Sequence, residues 1–155
     1  MSAPEFNATC YNSFYEPIVD DKRRLQIPSA WRSGQGESEF MLLLWPNGGQ
    51  KDACLMVLPP AAARKLTERI TAMPFGDSQA EALRRYLGRK SAMVTADKAG
   101  RMTLPDHMAR AVGLEAEKKA VLVGMFDRFQ IWAPERFTPV MDGDDALAQE
   151  AMKLI

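Results

Sequence analysis

Asp20 and Arg24 stand four positions apart, and so do Asp97 and Arg101. The second pair lies in the stretch from Thr95 to Pro105, which reads as a strand end, a tight polar turn and a second strand. Asp97 is suited to accept from backbone N–H groups two residues on. Gly100 supplies the positive φ that a tight reversal needs. Arg101, at the turn's exit, offers a planar and permanently charged fork that fits phosphate or guanine. Met102-Thr103-Leu104 alternates as a half-buried strand does, and Pro105 ends that strand and opens a helix. The first pair repeats the arrangement in Asp20-Asp21-Lys22-Arg23-Arg24-Leu25-Gln26-Ile27-Pro28, with an offset of 77 residues from Asp20 to Asp97. A single Asp–Arg pair reads as a surface ion pair of little worth. Two at matched positions, each followed by apolar-polar-apolar-Pro, point to a repeated unit whose arginines share a task.

The elements that must position these turns follow the same repeat. In the first half, Cys10 to Val19 is rich in strand-favouring residues, and Leu25-Gln26-Ile27 is the strand after the turn. Pro28 opens a short helical turn, Ser29 to Arg32, anchored by Trp31 and stopped by Gly34 and Gly36. Phe40 to Trp45 and Cys54 to Leu58 read as strands reversed at Pro46-Asn47-Gly48-Gly49. A helix from Ala61 to Met73 follows, with Ala62, Leu66, Ile70 and Met73 on one face. Ser78 and Glu81 read as a capping box for a helix from Gln79 to Arg89, with Ala80, Leu83 and Leu87 on its buried stripe.

The second half runs through the strand Lys90 to Ala96, the turn, the strand Met102 to Leu104 and a short helix ended by Gly113. Then come the strand Ala120 to Met125, the turn Asp127-Arg128, the strand Phe129 to Trp132 and a last helix from Pro134, unsettled by Pro139. An acidic tail begins near Asp142. Leu55 to Pro60 aligns with Phe129 to Pro134 at an offset of 74 residues (Leu55 to Phe129). Two such halves, each too small to bury its own faces, predict one pseudo-symmetric core.

The bulk numbers narrow the function classes. The chain has 155 residues, 46% of them hydrophobic, enough for a real interior in one domain or two small halves. With 20 Lys+Arg against 20 Asp+Glu, the net charge is zero, which argues against a generally basic coat but leaves room for a local basic face. Arg84, Arg85, Arg89, Lys90, Lys98 and Arg101 form either a basic flank beside the second turn or a solvated helix face. No run approaches the roughly 18 apolar residues of a membrane span. The opening residues lack the parts of a signal peptide, and Cys10 and Cys54, with no CxxC spacing, read as reduced, partly buried thiols. A cytoplasmic protein is expected.

No enzyme is expected. His107 is the sole histidine, no nucleophile, base and orienter can be assembled, no Gly-rich phosphate loop is present, and the Cys and His spacing gives no metal site. No cofactor is expected either.

The doubled Asp-x-x-x-Arg turn and the segment Val121 to Trp132 resemble the MraZ family of bacterial transcriptional regulators, over roughly Tyr11 to Phe137. The resemblance implies an α+β fold of two tandem AbrB-like swapped-hairpin units, a small β-barrel with pseudo-two-fold symmetry and outer helices. It divides the chain into residues 10–75, residues 76–140 and an acidic tail, 141–155. It implies sequence-specific binding of double-stranded DNA at promoter repeats of a division and cell-wall gene cluster, ring-shaped homo-oligomers and a place at the nucleoid. The family's DNA-contacting motif carries over to Asp20 and Arg24 and to Asp97 and Arg101. The aspartates would orient the arginines, since a carboxylate repels phosphate, while Lys22, Arg23 and Lys98 add unspecific attraction. Most members have Gly where this chain has Arg23, so the first loop uses a different turn, carries strain, or has traded shape for a phosphate contact. The N-terminal lead-in is also longer than the family's. The alternative is a ring-forming interaction module that sequesters a partner without reading DNA, through exposed Tyr11, Phe14, Trp31 and Phe137.

Overall fold

The computed structural model describes residues 9–32 and 38–155. The start of the lead-in and the helix stop at Gly34 and Gly36 lie outside the described residues. Among the described residues eight strands form one antiparallel sheet: β1 Phe14–Tyr15, β2 Arg24–Gln26, β3 Ser38–Asn47, β4 Gln50–Leu58, β5 Ser91–Ala96, β6 Arg101–Thr103, β7 Val121–Gly124 and β8 Phe129–Trp132. Their order is β1-β7-β8-β4-β3-β5-β6-β2. The two strands at the ends of that order, β1 and β2, are consecutive in the chain. The sheet therefore curls, and the short segment between β1 and β2 joins its two edges through the Asp20 turn, within which Asp20 N donates to Arg24 O at 3.1 Å.

Two long strands hold the middle. β3 pairs with β4 through Met41↔Leu58 to Trp45↔Cys54, and on its other side with β5 through Ser38↔Ala96 to Leu43↔Ser91. The second half supplies the partners for the first half's short strands. β1 pairs with β7 (Phe14↔Val123) and β2 with β6 (Leu25↔Met102). Two matching backbone bonds tie the halves: Ile27 N donates to Gly100 O at 2.7 Å, and Leu104 N to Arg23 O at 2.8 Å. Their donors stand 77 residues apart, as do their acceptors, so the bonds are related by the sequence repeat.

The inside of the curl is apolar. Leu25, Ile27, Leu42, Leu55, Met102, Leu104, Met108, Leu122, Phe129 and Ile131 are all buried in one cluster. Aromatic rings lock its end. Trp31 lies 4.8 Å from Phe129 and 5.6 Å from Tyr11 (centroid to centroid), and Tyr11 lies 5.4 Å from Phe129. Trp31 Nε1 donates to Asn12 O at 2.9 Å, so burial leaves its polar atom satisfied.

The described residues hold four α-helices, α1 Pro60–Thr71, α2 Ser78–Arg89, α3 Asp106–Val112 and α4 Pro134–Ala151, of which α3 puts Met108, Ala109 and Val112 into the main core. Ala62 and Ala63 of α1 pack on Leu43, Met56 and Leu58, joined by the partly buried Leu66 and Leu87. α4 starts over Trp132, with the Phe137 ring tilted against it at 5.5 Å between centroids. Lys90, only 7% exposed, pairs with Asp52 at 2.8 Å and staples the α2–β5 junction to β4.

Several sequence expectations change in detail. The strand expected over Cys10 to Val19 is reduced to Phe14–Tyr15, flanked by isolated bridges at Tyr11 and Ile18. Ser13 has φ +70 and breaks the run. The cap of α2 is Asp77, whose carboxylate accepts from Ala80 N at 2.9 Å, and Ser78 is the first helical residue. Of two adjacent capping residues, the charged one also complements the helix dipole. α4 continues through Pro139 to Ala151. Pro139 is exposed there, and the helix loses a bond without losing packing.

Candidate nucleic-acid interface

Each Asp–Arg turn closes on itself in the same way. In the first, Asp20 Oδ1 accepts from Lys22 N at 2.9 Å and Arg24 N at 2.8 Å, and Oδ2 accepts from Arg24 Nε at 2.7 Å. In the second, Asp97 Oδ1 accepts from Ala99 N at 3.0 Å and Arg101 N at 2.9 Å, and Oδ2 from Arg101 Nε at 3.0 Å. The backbones match too: Arg23 N donates to Asp20 O at 3.0 Å, and Gly100 N to Asp97 O at 2.8 Å. Each carboxylate thus fixes its turn and holds its arginine through Nε, with no hydrogen bond to the guanidinium's terminal nitrogens.

These bonds favour the ionised carboxylates. Asp97 is held below the usual aspartate range, first by the Arg101 backbone N–H and then by its guanidinium. Asp20 is lowered likewise, with the Arg24 backbone N–H as the main cause. The charged, arginine-orienting form is the one present at neutral pH.

The β2–β6 ladder decides where the arginines emerge. Its register pairs Arg24 with Thr103, Leu25 with Met102 and Gln26 with Arg101. Leu25 and Met102 point into the core. Alternation then puts Arg24, Gln26, Arg101 and Thr103 together on the outer face. The two arginines are diagonal neighbours on one two-stranded ribbon, a relation that spans about 7–8 Å. They share one face rather than opposite surfaces.

The other expected residues divide. Lys22 and Lys98 are exposed at the tips of their turns. Arg23 takes the left-handed conformation itself, with φ +61 against +83 at Gly100. The first loop therefore uses the same turn without the glycine. The Arg23 guanidinium folds back onto Leu104 O (Nε at 3.4 Å) and towards Asp106 (3.8 Å). Of the basic run beyond the loops, Lys90 is consumed by Asp52, and Arg84 binds Glu81 at 2.6 Å and Met73 O at 2.5 Å. Arg85 and Arg89 remain on the solvated side of α2.

Two residues at the second loop escape a linear reading. Gln26 Nε2 donates to Ala99 O at 2.7 Å, and Arg32 Nη1 reaches the same carbonyl at 2.9 Å. The signal that would have found Gln26 is its place opposite Arg101, which needs the β2–β6 register. Arg32 has no local signal.

Among the described residues no three His, Cys, Asp or Glu side chains gather in reach of one ion. Cys54 is buried, its thiol pushed up to about 12 by desolvation, and inert. Cys10 is exposed rather than partly buried. No helix among the described residues is long and apolar enough to cross a membrane.

Residues 89–152 match a family model described as "MraZ protein, putative antitoxin-like". A transcriptional regulator MraZ from Roseiflexus sp. (strain RS-1) is 31% identical over 134 residues, 86% of this chain and 88% of its own length. Proteins of the same name from Caulobacter vibrioides (strain NA1000 / CB15N) and Herpetosiphon aurantiacus are each 33% identical over 140 residues, 90% of this chain and 87% and 90% of theirs. With identity at this level over most of both lengths, the chain belongs to the MraZ family.

Proposed function

We propose that the protein is a transcriptional regulator that binds double-stranded DNA sequence-specifically through the outer face of the β2–β6 ribbon. One observation carries the reading: two identically braced arginines, Arg24 and Arg101, emerge side by side on one face of a two-stranded ribbon. The major groove of B-DNA, about 12 Å wide, admits such a ribbon, and an arginine fork matches guanine O6 and N7. Asp20 and Asp97 brace the forks. Lys22 and Lys98 add attraction to the phosphates, whereas Arg23 contributes charge from a guanidinium turned towards Asp106.

On this reading the duplicated chain is two AbrB-like swapped-hairpin units, residues 10–75 and 76–140, with the tail from 141 outside the DNA face. Its targets are promoter repeats of a division and cell-wall gene cluster, bound in the cytoplasm at the nucleoid. Two arginines on a neutral chain bind weakly alone. A ring of copies on spaced repeats raises effective concentration and recovers affinity. The names of the relatives as transcriptional regulators support the reading. The sequestering module has less support, because Tyr11 and Trp31, 5% and 1% exposed, belong to the core and Phe137 is half-buried against Trp132. Phe14 alone of its four aromatic residues is exposed, at 59%.

The test is a mobility-shift titration on a duplex from upstream of the protein's own gene and on a scrambled duplex. Arg24→Ala and Arg101→Ala should each lose discrimination between the two. Undiminished discrimination in the double variant overturns the arginine assignment.

A further inference from the structure

The second loop carries a guanidinium that its own sequence does not encode. Arg32, at the end of the short turn Ser29–Trp31, lies flat across Gly100. A Cβ placed on Gly100 would meet Arg32 Cδ at 2.6 Å, Nη1 at 2.8 Å and Nε at 2.9 Å. The volume over the glycine is filled by this arginine. Its Nη1 holds Ala99 O at 2.9 Å, using one of five donors. Arg32 is exposed, and among the described residues no carboxylate is paired with it.

Beside it opens a cleft of about 230 Å³ whose polar lining is Ser29, Arg32, Ser38, Asp97 and Lys98 and whose remaining lining is apolar. Among the described residues the one acid there is Asp97, which already accepts three bonds from its own loop. Two cations and two hydroxyls face an opening beside the arginine that would read the groove. The first loop has no counterpart. The residue 77 positions beyond Arg32 is Ala109, buried in the core, and Arg23 itself fills the volume there.

Resting on the DNA-binding reading above, we propose that Arg32 is a further DNA-binding residue: it grips a backbone phosphate flanking the second loop, together with Lys98. It makes the second loop the stronger anchor. The contact carries no sequence information, so its signature is electrostatic.

The experiment measures affinity as a function of salt for the full-length protein, on the upstream duplex and on the scrambled duplex. It compares wild type, Arg32→Gln, Arg32→Lys and Arg101→Ala. One lost phosphate contact lowers the slope of log K against log[salt] by about 0.9. Arg32→Gln should weaken both duplexes by the same factor, about three- to tenfold at moderate salt, and lower the slope by about that amount. Arg32→Lys should restore the slope, since a point charge suffices for phosphate. An unchanged slope in Arg32→Gln overturns the proposal. So does loss of discrimination without loss of slope, which would make Arg32 a strut for the loop and nothing more. The Arg101→Ala arm separates the two readings: if it keeps discrimination, the base-reading assignment fails, whatever Arg32 does.

Discussion

The loops Asp20–Arg24 and Asp97–Arg101 make the same carboxylate and backbone bonds, yet differ at the residue that turns the chain. In the second loop it is Gly100, at φ +83, with a neighbour's side chain laid over it. In the first it is Arg23, at φ +61, with its own side chain in the corresponding space. The turn is therefore set by the aspartate's bonds and not by glycine. Glycine is required only where another group has taken the volume a Cβ would occupy. The ion pair of the first loop is also the more enclosed, its side chains 30% and 34% exposed against 44% and 40% in the second.

This contrast can be broken or sharpened by experiment. The largest effect is expected from removing both forks. Each bidentate arginine–guanine contact is worth about 1–3 kcal/mol of discrimination. Arg24→Ala with Arg101→Ala should bring the upstream duplex close to scrambled DNA in a titration, and Arg101→Ala alone should exceed Arg24→Ala. Equal single effects would make the loops interchangeable.

Next comes Gly100→Ala, which forces a left-handed alanine, costing about 1–2 kcal/mol, and displaces Arg32. Urea denaturation should show that loss, accompanied by weaker DNA binding. The mirror change, Arg23→Gly, should be nearly silent. Relief of about 1 kcal/mol of left-handed strain is offset by the roughly 0.5–1 kcal/mol entropic cost of glycine. A denaturation midpoint moved as far as that of Gly100→Ala would show that Arg23 has a larger structural role than its long contacts suggest.

The smallest effect is in acid. Asp20 and Asp97 both titrate below the ordinary value near 3.9. Their contribution to stability is fully present above that value and is lost as pH falls through the depressed one. Stability followed by urea titration between pH 5 and pH 2 should therefore fall less steeply in Asp20→Asn with Asp97→Asn than in wild type. Parallel acid limbs would mean that these bonds persist in the unfolded chain.

Much of the scaffold was legible because its signals are local. The Asn47-Gly48 turn between β3 and β4, the apolar runs of β7 and β8 and the proline-led helices are where their residues place them. The doubled turn was legible because both copies kept Asp, Arg and Pro in phase. What escaped depends on partners distant in sequence. The alternative reading counted Tyr11 and Trp31 as exposed, whereas Phe129, about a hundred residues away, closes over both. Lys90 read as part of a basic flank until Asp52 claimed it. Arg32 looked like the end of a short helix, since nothing near it announces the empty space over Gly100. The candidate site was thus half readable: the two Asp–Arg pairs by their spacing, the groups packed beside them only through the register of β2 on β6.

That register has a consequence for synthesis. β2 is made early but has no partner until Arg101–Thr103 is made, and β1 waits for Val121–Gly124. At about 5–20 residues per second, the ribosome leaves Arg24 without its seat for on the order of ten seconds. During that interval the first finger belongs to an unpaired edge. A truncated chain ending before residue 101 would therefore bear a complete Asp20–Arg24 motif and still present it to nothing.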